Sequence, residues 1–403
     1  MNNNTKLANV VALDFLIISK ACHSAINRSV YRLFKEDGFS IAIIIPSTSI
    51  IGDSVRHPDP EKTEDPPLFF LKTKGHNPRT MMFNGLVGVL KRWQPENIIY
   101  DGDPISITAL ILGTWAKING HRFYCITCEN MSIKIKSQIA RFGISAFPVA
   151  VIKRVLLFFA KMVVEGIFVI NNEGLFIFQS EGFKNTKKIP LGIDTTIFKQ
   201  NSYIREIKRK ELSLDCFTIG FFGRVVPEKG LHHLLLALSK LKTLEWVLVV
   251  DEFLDYTNSY RQQIITLIDK LELKNRIKYI NPNHYEIADY MNAVDVVCLP
   301  SISTNKWTEQ YGRVASEAMA CGKTVIASDS GALPMLLNGY GVLFSEGDIK
   351  SLISILQNFI ISKKSFTIKY SSEEISKYSR DSLSIEKQKE LMISFINKGL
   401  GHD

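Results

Sequence analysis

Residues 217–230 read FTIGFFGRVVPEKG, an apolar stretch followed by a glycine, two cations and a second glycine. The first six residues are typical of a buried β-strand, and the apolar residues from Leu231 onward predict a helix. A strand followed by a helix is the repeating unit of an open parallel sheet, whose ligands bind at the carboxyl ends of the strands. The segment therefore predicts an α/β fold with a binding site at residues 223–230.

Similar apolar stretches recur along the chain and alternate with helical patterns. They lie at residues 41–46, 97–100, 166–170, 246–250, 295–300 and 324–328. Continuous apolar strands separated by helices indicate parallel sheets covered on both faces. The pattern restarts near residue 215, after a proline-containing, basic stretch, and 403 residues exceed one hydrophobic core of usual size. We therefore predict two doubly wound, Rossmann-like domains, residues 1–198 and 199–379, with a C-terminal helix, 380–403, packing back on the first.

The composition is that of a folded protein with one basic half. Hydrophobic residues make up 46% and charged residues 22%, and the net charge of +9 lies almost wholly in residues 1–200. A basic half predicts an anionic partner, namely nucleic acid, a phosphorylated substrate or a membrane surface. The six cysteines are scattered, residues 1–6 do not resemble a signal peptide, and no apolar run reaches the roughly 18 residues of a membrane span. We expect a cytoplasmic protein, with peripheral attachment to the inner face of the membrane as an alternative.

The densest polar pattern is at residues 309–322, which read EQYGRVASEAMACG. A helix is predicted to open near Gly312, and the unpaired amides of its first turn suit an anion. Glu309 precedes that turn and could hold sugar hydroxyls, while Glu317 lies within the helix and could hold a ribose diol. Arg224 and Lys229 add a guanidinium fork and a point charge, which suit a diphosphate.

Together these motifs resemble the family 4 glycosyltransferases of GT-B fold, in which two Rossmann-like domains face each other across a deep cleft. The resemblance covers nearly the whole chain and includes residues 185–198 and 331–334. Residues 22–31 resemble a bacterial subset that builds surface polysaccharides, such as O-antigen or other lipopolysaccharide glycans. The resemblance implies a retaining, metal-independent hexosyl- or N-acetylhexosaminyl-transferase that needs no cofactor.

The resemblance also implies partners and residue roles. The donor would be a UDP- or GDP-sugar, the acceptor a glycan or a lipid-linked sugar, and nucleic acid is not expected. Catalysis would rest on Glu309 at the transferred sugar and on Arg224 and Lys229 at the diphosphate, with Glu317 at the ribose. The remaining donor-binding candidates are the residues that flank these: Gly223, Tyr311, Gly312, Arg313 and Val314.

The first domain would bind the acceptor. Our candidates are polar residues after predicted strands or in a first helical turn: Asn27, Arg28, Asp101, Asp103, Glu129 and Asn130. Local structure offers alternatives. Asp103 could cap a helix that has Pro104 at its first position, Asp101 and Asp103 could hold a metal, and Ser24 could cap the turn that contains Asn27 and Arg28. Cys125 and Cys128 lack the second pair that a zinc site needs.

Three residues depart from the family pattern. Asp251 and Asn281 stand where glycines are usual, and Met335 stands where glutamate is usual. These departures allow two alternatives. The protein could be a non-catalytic scaffold that binds a nucleotide sugar, or another GT-B enzyme such as a sugar-nucleotide epimerase.

Two other segments of the first domain have a predicted environment. Residues 149–165 predict a helix that is apolar almost throughout, apart from Lys153, Arg154 and Lys161, and that is either buried or pressed into an anionic lipid interface. Residues 53–67, rich in proline, predict an exposed loop.

Overall fold

The structure is a computed structural model that describes residues 12–51, 54–75, 77–251, 259–362 and 370–399. The chain forms two compact units, one of Met1–Pro190 with Gln388–Asp403 and one of Leu191–Lys387. The expectations about residues 1–6, residue 53 and residues 400–403 lie outside the described residues. The unit boundaries differ from the predicted ones, which were placed after residues 198 and 379.

The first unit is built on a parallel sheet. Its described strands are β1 (Phe15–Ser19), β2 (Ile41–Pro46), β3 (Ser49–Ile51), β4 (Ser54–Arg56), β5 (Leu68–Leu71), β6 (Thr73–Lys74), β7 (Met82–Phe83), β8 (Asn97–Asp101), β9 (Arg122–Thr127), β10 (Gly166–Val169) and β11 (Thr186–Lys188). Its helices are α1 (Ser29–Glu36), α2 (Leu86–Trp93), α3 (Ile107–Asn119), α4 (Ile135–Phe142), α5 (Phe147–Val163) and α6 (Asn172–Ser180). Within the described residues the main sheet has the order β11-β10-β9-β8-β1-β2-β5, while β3 with β4 and β6 with β7 form small antiparallel pairs.

The second unit repeats this design. Its described strands are β12 (Phe217–Phe221), β13 (Trp246–Asp251), β14 (Ile277–Ile280), β15 (Val296–Leu299), β16 (Thr324–Ser328) and β17 (Val342–Phe344). Its helices are α7 (Ser202–Leu212), α8 (Leu231–Ser239), α9 (Ser259–Lys270), α10 (Ile287–Ala293), α11 (Arg313–Ala320), α12 (Leu333–Leu337), α13 (Ile349–Ser362) and α14 (Ser372–Leu383). The described strands are parallel in the order β14-β13-β12-β15-β16-β17.

The cores follow from the apolar strands. Every residue of β1, β2, β12 and β15 is buried, since helices cover both faces of each sheet. In the second unit, α8 contributes Leu234, Leu235 and Leu238 to a cluster with Ile219 and Leu248 of the sheet. Burial of aliphatic side chains such as these, about 1.5–3 kcal/mol each, is the main stabilising term of each unit.

The last helix, α15 (Ile385–Lys398), begins in the second unit and ends in the first. Within the first unit its Phe395 ring lies edge-on to Phe168, with ring centroids 5.1 Å apart, and Met392 and Ile396 are buried. These contacts tie the C-terminal residues to the sheet of the first unit.

In the described strands of each sheet, the chain reverses its direction of winding at one point. In the first unit it lies between the neighbouring strands β1 and β8, and in the second between β12 and β15. The loops that leave the carboxyl ends of such a strand pair diverge, and the crevice between them is where open α/β sheets bind ligands. The fold therefore points to one candidate site in each unit.

Candidate functional site

The loop after β12 presents a glycine and an arginine to solvent. Gly223 has φ +129°, a conformation that side chains rarely adopt, and a Cβ built on it would meet nothing within 4 Å. The next residue, Arg224, is exposed, and within the described part of the chain its guanidinium makes no hydrogen bond or ion pair. The loop thus leaves a fork of N–H donors available beside an open stretch of backbone.

The second cation of this loop is paired across the two diverging loops. Lys229 Nζ lies 2.6 Å from Glu309 Oε2, which joins the loop after β12 to the loop after β15. Glu309 is only 7% exposed, and the Ser301 hydroxyl donates to the same carboxylate oxygen over 3.1 Å. The Lys229 ammonium also lies 5.1 Å from the centroid of the Trp307 ring. Two of the residues that the sequence pattern singled out, Lys229 and Glu309, therefore meet at the β12/β15 crevice.

Helix α11 completes the second-unit site. It begins after Gly312, as the sequence predicted, and Gly312 has φ +88°. Glu317 lies in this helix, and burial raises the pKa of its carboxyl group to about 7, although Arg313 acts in the opposite direction. The Tyr311 side chain is buried, so its backbone is the part that could contact a ligand. Val314 is half-buried in the first turn of α11.

The first-unit site has polar side chains at the equivalent edge of its sheet. The Ser19 hydroxyl, at the end of β1, donates to Asp101 Oδ2 over 2.7 Å, which bridges β1 and β8. Arg79 Nε donates to Asp103 Oδ2 over 2.9 Å, and another nitrogen of the same guanidinium donates to Glu129. Burial, followed by the charge of Asp103, raises the pKa of Glu129.

These contacts bring together most of the predicted acceptor residues. Asp101 is the last residue of β8, Asp103 follows that strand, Glu129 follows β9, and Asn130, next in the chain, is 9% exposed. Sequence reasoning missed Arg79, because it lies on a polar segment before β7 and carries no motif. Its pairing with two carboxylates is a property of the folded chain alone.

The prediction that Asp103 caps a helix was wrong. Helix α3 starts at Ile107, and its cap is Ser106, whose side chain accepts from the Ala109 amide over 3.1 Å. Asp103 Oδ1 instead accepts from the Ile105 amide over 2.9 Å, in a turn that precedes the helix. Among the described residues no group of three or more histidine, cysteine, aspartate or glutamate side chains could hold a metal ion. Cys125 lies inside β9, and Cys128 follows that strand.

Arg28 is corrected from a candidate ligand to a structural residue. Its side chain is fully buried, pairs with the equally buried Asp65 over 3.0 Å, and donates to four backbone carbonyls. No part of the guanidinium is available to an acceptor. The expectation of an exposed loop at residues 53–67 is confirmed for most of residues 57–67, which form no strand or helix, but residues 54–56 form β4 and Asp65 is only 2% exposed. Ser24 precedes a short 3-10 turn without a side-chain cap, and the Asn27 amide donates to the Ala21 carbonyl over 2.7 Å.

Helix α5 presents an apolar face to solvent. Ala150, Leu157 and Ala160 are buried, whereas seven large apolar residues are between 42% and 62% exposed: Phe147, Val149, Ile152, Val155, Phe158, Phe159 and Met162. The predicted cations of this helix are partly engaged inside the unit. Lys153 donates to Gln138 over 2.7 Å, and Arg154 pairs with Glu181 over 2.6 Å. In the described part of the chain, no helix has the length and apolar character required to span a bilayer.

Comparisons with known proteins give a family match in the second unit. The family model described as glycosyl transferases group 1 matches residues 204–381, which lie in the second unit. The D-inositol 3-phosphate glycosyltransferase of Mycobacterium tuberculosis is 31% identical over 147 residues, or 36% of this chain. The aligned segment spans only 29% of the length of that relative.

Solved structures match over almost the whole chain. A glycosyltransferase from Rickettsia africae has a TM-score of 0.74 at 15% identity, covering 97% of this chain and 100% of its own. HepE from Anabaena, in complex with UDP and glucose, has a TM-score of 0.71 at 16% identity, covering 96% and 100%. At these identities the likeness concerns the fold. The chain thus has the GT-B fold, and its second unit carries the segment that matches the glycosyl transferases group 1 family.

Proposed function

We propose that this protein is a glycosyltransferase that takes a sugar from a UDP- or GDP-sugar bound at the β12/β15 crevice, and that it retains the anomeric configuration without a metal. The observation that carries the proposal is the contact between Lys229 and Glu309 at the point where the second sheet reverses its winding, with Arg224 exposed on the same loop as Lys229. Two cations suit a diphosphate, and a carboxylate beside them suits sugar hydroxyls.

The chemistry assigned to these residues is electrostatic. As the bond between the anomeric carbon and the diphosphate oxygen breaks, negative charge grows on the diphosphate. Arg224, Lys229 and the first amides of α11 stabilise that charge, which is the help that a metal supplies in other enzymes. The acceptor hydroxyl forms its bond to the anomeric carbon on the face that the diphosphate leaves, and its proton passes to the departing diphosphate. Because bond formation and bond cleavage share one face, the configuration is retained.

The donor must separate the Lys229–Glu309 pair to bind in this way. A diphosphate offers Lys229 several oxygens in place of one carboxylate, and sugar hydroxyls offer Glu309 donors in place of the ammonium. The exchange keeps the half-buried Lys229 and the buried Glu309 partnered, so it avoids the desolvation penalty of an unpaired charge.

We assign acceptor binding to the first unit, at the carboxyl ends of β1, β8 and β9. The carboxylates of Asp101, Asp103 and Glu129 can accept hydrogen bonds from the hydroxyls of a glycan, and Arg79 can donate to its oxygens. The relatives that match the second unit act on an inositol phosphate according to their name, but the aligned segment is too short to assign that acceptor here.

We further propose that the acceptor is lipid-linked, that the product enters a bacterial surface polysaccharide such as O-antigen, and that the protein works at the inner face of the membrane. The exposed face of α5 supports this proposal. Seven large apolar side chains on one helix form a surface that monomeric proteins seldom leave in water, and an interfacial helix would bury them among lipid acyl chains. The exposed Lys134, Lys136 and Lys161 on α5 and the neighbouring α4 segment supply positive charge for anionic headgroups.

The test of the proposed activity is donor turnover with purified protein and a panel of UDP- and GDP-sugars, in buffer with excess EDTA. We expect turnover in EDTA, and a loss of at least ~100-fold in Glu309→Ala and in Arg224→Ala, the scale of removing one preorganised charge contact. Lys306→Ala, an exposed neighbour in the same loop, serves as the control and should keep full activity. Strict dependence on Mn²⁺ or Mg²⁺, or near-wild-type turnover in folded Glu309→Ala, would refute the assignment.

A scaffold without catalysis is the alternative that a specific observation favours. Asp251 ends β13 and is 6% exposed, so a carboxylate occupies a buried position where the family pattern has glycine. A scaffold would bind the nucleotide sugar yet release no nucleotide in the panel. An epimerase would interconvert donor sugars without any acceptor, which the same assay detects by chromatography of the recovered donor.

A further inference from the structure

The loop between β15 and α11 ends in a compact turn that carries Trp307. The Thr304 amide donates to the Trp307 carbonyl over 2.7 Å, and the Thr304 hydroxyl accepts from the Trp307 amide over 3.0 Å. The Ser303 hydroxyl donates to the Glu346 carboxylate over 2.9 Å, and it lies 2.8 Å from the Thr308 hydroxyl. The backbone on both sides of Trp307 is therefore fixed by hydrogen bonds.

The fixed turn holds the indole beside the charged pair of the crevice. The Lys229 ammonium lies 5.1 Å from the ring centroid of Trp307 and 2.6 Å from Glu309 Oε2. Trp307 is half-buried, so the residue keeps part of its surface accessible to solvent. An aromatic face thus borders the groups to which we assign the diphosphate and the transferred sugar.

We infer that Trp307 packs against the apolar C–H face of the donor's sugar ring, and that it makes the site prefer a nucleotide sugar over the free nucleotide. This inference rests on the proposed donor site. When the diphosphate takes the Lys229 ammonium, the indole loses its cation partner and its face is uncovered. A pyranose ring has hydroxyls at its rim, where Glu309 can accept from them, and C–H groups on its faces. Binding pockets combine apolar or aromatic walls with a few polar groups that fix orientation, and this site has both.

Trp307 could instead serve only to hold Lys229 in place by a cation–π contact. The two roles differ in a measurable way. Loss of a holding contact weakens the binding of every diphosphate that Lys229 contacts, so a nucleotide and its sugar derivative lose affinity equally. Loss of an aromatic contact to the sugar ring weakens the affinity for the sugar derivative alone and leaves the affinity for the free nucleotide unchanged.

The experiment is isothermal titration calorimetry of the full chain with UDP, UDP-glucose, GDP and GDP-mannose. The variants are Trp307→Ala and Trp307→Phe, with Lys306→Ala as the matched control in the same turn. For the nucleotide that the wild type binds, we expect Trp307→Ala to lower the affinity for the sugar derivative roughly tenfold, the effect of a lost aromatic contact worth ~1.4 kcal/mol. The affinity for the free nucleotide should change less than about twofold, which also shows that the variant is folded. Trp307→Phe should recover part of the loss, and Lys306→Ala should match the wild type.

Equal losses for the nucleotide and its sugar derivative would overturn the inference and leave Trp307 as a holder of Lys229. Unchanged affinities in Trp307→Ala would overturn it as well. If the wild type binds none of the four probes, the proposed donor site itself fails. If the wild type binds them and Arg224→Ala does not, the donor site stands and the Trp307 data decide the inference alone.

Discussion

The buried Arg28–Asp65 pair provides a stability prediction that separates a structural arginine from an acceptor ligand. The Arg28 guanidinium donates five hydrogen bonds, one to the Asp65 carboxylate and four to the backbone carbonyls of Cys22, His23, Asp59 and Pro60. Both side chains are fully buried. We consider Arg28→Lys, which keeps the charge but replaces a five-donor fork with three donors.

The magnitude follows from the donors that lysine lacks. At least two of the five acceptors lose their partner, and each buried hydrogen bond is worth about 1 kcal/mol, so Arg28→Lys should cost at least ~2 kcal/mol. For a domain of roughly 150–250 residues this shifts Tm by about 4–8 °C. Arg28→Met would remove all five of these hydrogen bonds and leave Arg32 as the ion-pair partner of the buried Asp65, and it should cost about 3–5 kcal/mol, a large part of the total stability of a domain.

Arg32→Ala is the matched control. Arg32 also binds Asp65, over 2.7 Å, but its side chain is 12% exposed and leaves Asp65 paired with Arg28. Thermal unfolding followed by circular dichroism, combined with donor turnover, measures both consequences. We expect Arg28→Lys to lower Tm more than Arg32→Ala does, while folded protein keeps its apparent KM for acceptor. A Tm equal to wild type with a raised acceptor KM would refute the structural assignment and restore Arg28 as a ligand.

The same pair predicts a pH dependence. Burial acts to raise the pKa of Asp65, but hydrogen bonds from Lys62, Arg32 and Arg28 outweigh it and lower that pKa in the folded protein. A carboxyl group with a depressed folded pKa contributes stability above its unfolded pKa, which is about 3.9, and that stability is lost as the pH falls through the folded value. The Tm difference between wild type and Asp65→Asn should therefore be constant near neutrality and shrink below about pH 4.

Three further predictions concern the second-unit site and α5. Because burial raises the pKa of Glu317 to about 7, its carboxyl group loses its charge as the pH falls below 7. The affinity for the nucleotide, measured by calorimetry, should therefore weaken from pH 8 to pH 6. In Glu317→Gln the affinity should not change over this range. The double variant Ile152→Ser, Phe158→Ser should sediment less with anionic vesicles than the wild type does. Tyr203→Ser, which changes an exposed residue on α7, should sediment like the wild type. Equal sedimentation of the wild type and both variants would leave the α5 face unexplained. Gly230 has φ +71°, and a Cβ built on it would lie 1.8 Å from the backbone carbonyl oxygen of Pro300. Gly230→Ala should therefore abolish donor binding or folding of the second unit. A wild-type Kd in that variant would contradict the close approach of the two loops.

The sequence predicted the sheets best where apolar runs are long. Residues 41–46 and 324–328 coincide with β2 and β16, because a strand covered on both faces needs apolar side chains throughout. The polar edge strand β11 was missed, since its sequence, Thr-Lys-Lys, carries no burial pattern. The start of α11 was predicted correctly from Gly312, whereas α3 was misplaced because Asp103 and Ser106 compete as caps and only the folded backbone selects one.

The sequence did not predict side-chain contacts between loops that lie far apart along the chain. Lys229 and Glu309 were selected by their charge and their position after predicted strands, but their 2.6 Å contact arises from the adjacency of β12 and β15. Arg28 was mistaken for a ligand because its partner, Asp65, lies on a loop that proline content predicted to be exposed. Arg79 gave no local signal at all. Pairing of this kind depends on which strands the fold places side by side, and no pattern within one segment encodes it.

A crystal structure of the protein with a bound UDP- or GDP-sugar tests the central claim most directly. We predict that the diphosphate lies at the β12/β15 crevice, within hydrogen-bond distance of Arg224 and Lys229 and near the first amides of α11, with the Lys229–Glu309 contact broken. A nucleotide bound elsewhere, or bound at the crevice while Lys229 stays paired with Glu309, would contradict the account.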